Sequence, residues 1–269
     1  MIISFLLDNS SISHYNYNLI KIAQKHFEDD EICLIFDDIN HNIKKIKNNK
    51  VSRYQTNIFK SFLRRIVVFF EKKKLDNSFS GNNYGKRYNA NEFNFQKICI
   101  DCDYSKSGLF KSFEKDIDLL KNLNIDLIVR GNTGILKGEI LKIPKLGILS
   151  PHHGDNRYFK GGPAGFWEVY QKSIKSGFII QKITSKLDDG NIVERKEFFT
   201  KKTWWVNRYL LQKESLNAWD HIFYKLKNGK KLNIIADDKK INNNKINKYP
   251  RTFTLLIYFL KNFINFKYF

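Results

Sequence analysis

The sequence predicts an α/β protein built on an open, mostly parallel, Rossmann-like sheet with helices on both faces and a small helical C-terminal extension. Three observations carry this. Short continuous apolar runs such as residues 2–7, 31–36 and 125–129 are bounded by Asp, Asn and Ser, as expected of strands buried on both faces. Stretches of helical period separate them, and that alternation demands crossover connections and parallel pairing. Finally, 269 residues with 42% hydrophobic content can bury a sizeable core, which argues against global disorder.

In chain order, residues 2–7 read as a first strand, followed by a cap-rich Asp8-Asn-Ser-Ser11 turn. A helix is expected over about 15–27 and a second strand over 31–36, ended by Asp37 and Asp38. Residues 38–56 are polar and irregular. From 57 to 74 Ile58, Phe62, Ile66, Val67 and Phe70 recur near helical spacing among lysines and arginines, the pattern of a helix with one apolar stripe. Residues 76–92 form a Gly/Asn/Ser loop. A strand over 97–102, a helix over 107–122 and a strand over 125–129 follow. Next come a turn at Arg130–Gly134, a short helix over 135–141 and a strand over 146–149. Residues 163–174 read as helical, 178–186 and 191–200 as strands around an Asp188-Asp-Gly190 turn, and 204–227 as a long helix. Residues 229–247 are a polar tail, and 254–266 an apolar, aromatic run too short to span a bilayer. The expected division is a domain at 1–202, with an insertion at about 38–95, and an extension at 203–269.

A net charge of +20 invites nucleic acid, anionic lipid or polyanionic small molecules as partners. Lys, Asn and Ile are enriched together in 40–49 and 237–247, so a compositional drift produces the same charge. No Arg-rich arm or zinc-finger spacing supports nucleic acid as a partner. Three cysteines, Cys33, Cys99 and Cys102, are too few and too odd for a disulfide framework and point to a reducing compartment. The Cys99–Cys102 spacing falls inside a strand-like run with no second pair. The N-terminal run lacks a basic leader, so a cytoplasmic location is expected. Peripheral contact with the inner face of the membrane stays open through the basic and apolar segments 57–74 and 254–267.

Chemistry concentrates between Gly147 and Val193. The chain reads Gly147-Ile-Leu-Ser-Pro-His-His-Gly-Asp-Asn156, then a Gly-rich loop, then Leu187-Asp-Asp-Gly190. A histidine at a strand end can move protons near neutral pH, and a nearby carboxylate can orient it. No Ser or Cys sits in a nucleophile-elbow pattern, so no covalent acyl-enzyme is implied. His152, His153 and Asp155 alone make too thin a ligand set for a metal.

This ordered set resembles the folate-dependent formyltransferases, a family that includes methionyl-tRNA, glycinamide ribonucleotide and amino-sugar N-formyltransferases. His152 stands in the family's histidine position, Lys160-Gly161 where Arg-Gly is usual, Trp167 in the Trp position, and Leu187-Asp188-Asp189-Gly190 at the Asp-x-Gly turn. The resemblance covers about residues 95–200. It implies a Rossmann-like formyltransferase fold, 10-formyltetrahydrofolate as formyl donor, and direct transfer to an amine without a metal. His152 would act as general acid/base and Asp188 would support it. Gly131, Thr133, Gly134, Ile135, Leu136, Leu187 and Gly190 would hold the folate, and His153, Asp155, Asn156, Arg157, Lys160 and Gly161 would lie on the acceptor side.

One departure is Ser150, where the family has an asparagine that holds the formyl oxygen. A hydroxyl gives one donor rather than two, so Asn132, Asn156, His153 or a water is expected to replace it. The tRNA enzyme usually appends a β-barrel, whereas residues after Thr200 read as helix and tail. The purine enzyme carries a Ser-Leu-Leu-Pro loop, absent after His152. The expected acceptor is therefore an amino sugar, nucleotide- or lipid-linked. A hydrolase of 10-formyltetrahydrofolate, a methionyl-tRNA formyltransferase-like enzyme and a catalytically lapsed basic protein at a membrane surface are the alternatives, and a homodimer stays open.

Overall fold

The computed structural model describes residues 1–38, 58–79, 83–105, 110–184, 190–235 and 246–263. Seven strands form the main sheet: β1 (Ile3–Leu7), β2 (Ile32–Asp38), β3 (Gln96–Asp101), β4 (Leu127–Arg130), β5 (Ile148–His152), β6 (Lys175–Lys182) and β7 (Asn191–Phe199). Their order is β7-β6-β5-β4-β1-β2-β3. Strands β1 to β5 pair in parallel, and β6 and β7 close one edge antiparallel. The expected mostly parallel α/β sheet is what the chain forms. Six helices accompany it among the described residues: α1 (His14–Gln24), α2 (Ile58–Ser78), α3 (Ile117–Asn122), α4 (Phe166–Tyr170), α5 (Trp204–Lys227) and α6 (Thr252–Phe263).

Strand alternation sends side chains to two cores. Ile3, Phe5, Leu7, Leu127, Val129 and Leu149 pack beneath α1 and α5, with Leu19, Trp219 and Phe223. Leu6, Ile35, Ile128 and Ile148 face the other way, against Phe113, Leu120 and Ile140. Helix α5 thus lies on the sheet and shares its core. Helix α1 starts where Ser13 caps it, the Asn16 N–H donating to the hydroxyl at 3.2 Å, which satisfies one of the orphan donors of a helix start.

A third cluster joins α2, α4 and α6 to the start of α5 through Leu63, Val67, Phe166, Trp204, Leu255 and Tyr258. Buried Glu71 ties it together. Its carboxylate accepts from the Trp204 and Trp205 backbone N–H groups at 3.3 and 2.8 Å and from the Tyr258 hydroxyl. Thr203 makes no side-chain cap, so the acceptor that the first turn of α5 needs comes from α2. The apolar run at the end of the chain therefore docks on the domain over Thr252–Phe263.

Several elements differ from the expectations. Residues 107–122 are not one helix: Phe110–Ser112 is a short strand between Asp103–Tyr104 and Ile135–Leu136, and only Ile117–Asn122 is α-helical. Pairing on both sides of that strand overrides the helical period, as tertiary context commonly does. Residues 135–141 likewise form a two-residue strand and then a 3-10 turn over Glu139–Lys142. Gly138 intervenes at φ +87°, which breaks any continuous helix there. The helix expected over 163–174 shrinks to Phe166–Tyr170, bounded by left-handed Gly165 and Lys172. The turn at Leu187–Asp189 and the irregular segment 39–57 lie outside the described residues.

Candidate active site

Chain order reverses beside β1: β2 and β3 lie on one side, β4 and β5 on the other. Open α/β sheets bind ligands beyond the carboxyl ends of their strands at such a point. The sequence places Asp8 just after β1, Asp37 near the end of β2, Arg130 at the end of β4, and Ser150 and His152 on β5. The two ends expected to wall a cleft, Arg130–Gly134 and Ser150–Gly154, follow strands that are direct neighbours, with Leu149 opposite Val129.

These groups form one connected network. Lys111, buried, donates to Asp37 at 2.9 Å and to Asp8 at 3.1 Å. Asn132 donates to the same Asp37 oxygen. Thr133 donates its N–H and hydroxyl to Asp8 at 3.0 and 2.8 Å, bridging the crevice between β1 and β4. Arg130 donates to the Asn132 side-chain oxygen at 3.3 Å and to the Gly134 carbonyl, and its Nη1 stands 3.4 Å from Ser150 Oγ. Two carboxylates and two cations nearly balance. Burial pushes the Asp37 carboxyl up to about 6, although Lys111 and Asn132 oppose it. Burial would lower the Lys111 ammonium, but Asp37 and Asp8 together raise it. Burial also draws the Arg130 guanidinium down against the pull of Asp8 and Asp37; an arginine stays charged under such a shift.

Alternation along β5 puts Ser150 and His152 on one face, with Arg130. His152 Nε2 lies 3.3 Å from the Phe159 carbonyl oxygen. A carbonyl only accepts, so this contact keeps the proton on Nε2 and gives Nδ1 the accepting role in the neutral ring. His153 points the other way. Its ring meets Tyr15 edge-on at 4.8 Å, and Nε2 is buried with no hydrogen-bond partner. Burial, then the neighbouring His152 and Arg208, hold its pKa down to about 3.

The remaining sequence-predicted residues fall into distinct settings. Asp155 is buried and bound by Arg157 through its backbone N–H at 3.0 Å and its guanidinium. Burial would raise the Asp155 carboxyl, and Arg157 with Arg195 brings it below the usual range. Glu197 pairs with the same Arg157 and with Lys175. Asn156 accepts from Arg195 at 3.0 Å. These three residues are therefore tied to β7, beside a cavity of about 370 Å³ that Asp155 and Tyr158 line. Lys160-Gly161 pairs with Ile246–Asn247. Gly161 sits at φ +83°, where a Cβ would meet the Asn247 carbonyl oxygen at 2.3 Å. Gly131 donates to the Leu6 carbonyl at 2.9 Å and accepts from Asn16. Gly134, at φ +84°, lies against the Lys111 stem. Leu136 is buried in the second core, and Ile135 is partly exposed beside it.

A second cavity, of about 490 Å³, lies between Lys137–Lys142 and Ile183–Thr184. Leu187 and Asp188 lie outside the described residues. Among the described residues, no group of three or more His, Cys, Asp or Glu is placed to hold a metal.

The sequence reading missed Asp8, Asp37, Lys111 and Arg130 as site residues. The carboxylates carried a usable signal, since each follows an apolar strand at its carboxyl end. Lys111 carried none, because its short strand shows no period of its own.

No family model matches the chain. In sequence it is 34% identical over 82 residues to the methionyl-tRNA formyltransferase of Clostridioides difficile (strain 630), which is 30% of this chain and 26% of that relative. It is 29% identical over 86 residues to the Staphylococcus aureus (strain N315) enzyme, 32% of this chain and 28% of that one. The matched stretch thus spans about a quarter of those relatives' length. In fold it is similar to a sugar N-formyltransferase from Shewanella sp FDAARGOS_354, with a TM-score of 0.53 at 15% identity over 97% of this chain and 88% of that one. The phosphoribosylglycinamide formyltransferase from Anaplasma phagocytophilum gives 0.53 at 11% identity, covering 89% and 96%. An N-formyltransferase from Helicobacter canadensis, in complex with folinic acid and dTDP-3-aminofucose, gives 0.50 at 13%, covering 95% and 78%. The fold is that of the formyltransferases.

Proposed function

We propose that this chain, which has the formyltransferase fold, is a folate-dependent formyltransferase acting on the amine of a nucleotide- or lipid-linked amino sugar. The observation that carries the reading is the grouping of His152, Ser150 and Arg130 on one face at the carboxyl ends of β4 and β5. That grouping sits beside the sheet's reversal point, where this fold takes its ligands. The sugar acceptor is supported by the similarity of fold to two sugar N-formyltransferases.

10-Formyltetrahydrofolate, when bound, supplies the formyl carbon and a nitrogen leaving group. The residues present suit it. The cavity between Lys137–Lys142 and Ile183–Thr184 has apolar walls in Leu141 and Ile183. Gly131, Thr133 and Gly134 form the turn after β4, held to β1 and Asp8 through the Leu6 carbonyl and the Asp8 carboxylate.

His152 accepts the proton that the attacking amine loses, at Nδ1, and returns it to the leaving nitrogen. Nε2–H stays anchored on the Phe159 carbonyl throughout. Asp188 supports the charged imidazole. Arg130 donates from Nη1 to the formyl oxygen as charge grows there, the duty of the asparagine that Ser150 replaces. A preorganised donor of this kind accounts for roughly 10²–10³ in rate.

The test incubates purified protein with 10-formyltetrahydrofolate and a panel of nucleotide-linked amino sugars, glycinamide ribonucleotide, methionyl-tRNA and water alone, following tetrahydrofolate release. Release with an amino sugar is expected. Silence across the panel together with no folate binding sinks the reading, and release with water alone makes the chain a hydrolase. His152→Ala and Asp188→Ala should each lower turnover by roughly 10²–10⁴.

A further inference from the structure

The proposed mechanism assigns no catalytic group to the end of the molecule where α2, α4 and α6 meet. A cavity of about 900 Å³ opens there between α4, the segment Thr200–Lys202 and α6. Four lysines line it: Lys172, Lys201, Lys202 and Lys261. None of the four takes part in an ion pair among the described residues.

The surroundings of this basic cleft are apolar. Ile174 and Phe199, next in sequence to the lining residues Ser173 and Thr200, are 76% and 72% exposed, and the Thr200 N–H donates to the Ile174 carbonyl at 3.0 Å. Phe253 on α6 is 71% exposed. Helix α6 reads Thr-Phe-Thr-Leu-Leu-Ile-Tyr-Phe-Leu-Lys-Asn-Phe, apolar nearly all round, yet only Leu255 and Tyr258 are buried. Its other flank continues onto α2, where Phe70 meets Phe259 and Phe263 at 5.3 and 5.6 Å and Phe69 is 65% exposed. Exposed phenylalanines on two helices packed against each other suit an interaction site, and a helix apolar nearly all round lacks a cover on its outer side.

We propose that this face docks on an anionic lipid bilayer, with the aromatic side chains of α2 and α6 in the headgroup region and the lysine cleft receiving lipid phosphates. Charge complementarity selects this occupant. Lysines without an ion pair among the described residues, near exposed apolar side chains, are the composition of a segment lying in a membrane interface. A second copy of the chain would bring like-charged lysines face to face, and a free phosphate would have no use for the phenylalanines. No described helix is long and apolar enough to cross a membrane, so the contact is peripheral.

Co-sedimentation with vesicles of phosphatidylcholine, with and without phosphatidylglycerol, tests this on the full chain. Binding to the anionic vesicles alone, weakened by salt, is expected. The triple change Lys201→Glu, Lys202→Glu, Lys261→Glu should lower it roughly a hundredfold or more. Phe69→Ser with Phe253→Ser should lower it without altering the salt dependence. A charge-matched control, Lys225→Glu, Lys230→Glu, Lys231→Glu, should keep most of the binding. Equal loss in both triple variants would assign the effect to net charge and overturn the proposal, as would failure of the unaltered chain to sediment. A concentration-dependent dimer abolished by the two Phe→Ser changes, with no vesicle binding, would give the face to a second copy instead. These readouts need no formyl-transfer activity and stand or fall apart from it.

Discussion

Arg130 Nη1 and Ser150 Oγ lie 3.4 Å apart on adjacent parallel strands, so a guanidinium stands where the proposed mechanism calls for a donor to the formyl oxygen. The cation is held from behind by the Asn132 side chain and the Gly134 carbonyl. It is a fixed donor, as charge stabilisation requires. Arg130→Met should lower kcat by roughly 10²–10³ while leaving folate affinity within a few fold. Adding Ser150→Asn to that variant should restore part of the loss. Steady-state kinetics with the responsive acceptor, alongside folate titration, separates the two effects; an unchanged kcat in Arg130→Met removes Arg130 from the role.

A buried ion pair underlies that donor. Lys111 and Asp37 are both shielded from solvent, and Asn132, which steadies Arg130, shares the same Asp37 oxygen. Removing one partner leaves a buried charge without compensation. Lys111→Met should therefore destabilise the fold by about 3–5 kcal/mol. Converting Asp37 to Leu in the same chain should recover much of this, because neither charge is then left alone. Urea unfolding of the single and double variants measures it, and an additive double variant would show that the pair is not coupled.

How much of this was readable beforehand varies with the kind of residue. The sheet was legible because β1, β2 and β4 are continuous apolar runs with polar ends, and burial on both faces writes itself directly into sequence. His152 was legible because it ends such a run. The strand at Phe110–Ser112 was not, since three residues carry no period and their pairing is decided by Tyr104 on one side and the more distant Ile135 on the other. The opposite orientations of His152 and His153 follow from strand alternation, yet only the placement of Tyr15 shows which face is which. Asp155 and Arg157 lay in the acceptor loop by sequence, but their partners Arg195 and Glu197 come from β7 and were beyond local reading.

Glu71 provides a prediction about assembly of the helical end. It replaces a cap for α5 and holds Tyr258 of α6. Glu71→Ala leaves the Trp205 N–H group and the Tyr258 hydroxyl without that acceptor, while the Trp204 N–H keeps the Tyr258 oxygen at 2.9 Å. A loss of about 1–3 kcal/mol is expected, together with earlier exposure of α6 in hydrogen exchange. Protection in α6 unchanged from the unaltered chain would refute the coupling.

Glu168 should set a pH dependence of stability. It is buried on α4, and burial pushes its carboxyl up from 4.5 to about 7, only partly opposed by a backbone hydrogen bond. A folded-state value above the unfolded one means that the folded chain holds the proton more tightly. Its stabilising contribution is therefore complete below about pH 4.5 and is lost as pH rises through about 7. The span corresponds to roughly 3 kcal/mol at most. Asp37, raised to about 6, acts in the same direction, so the two must be separated by substitution. Glu168→Gln, which cannot ionise, should flatten the decline between mildly acidic and mildly alkaline pH and leave the variant the more stable of the two above pH 7. Urea midpoints across that range decide it: parallel curves for the two proteins would mean that Glu168 does not titrate in the folded state.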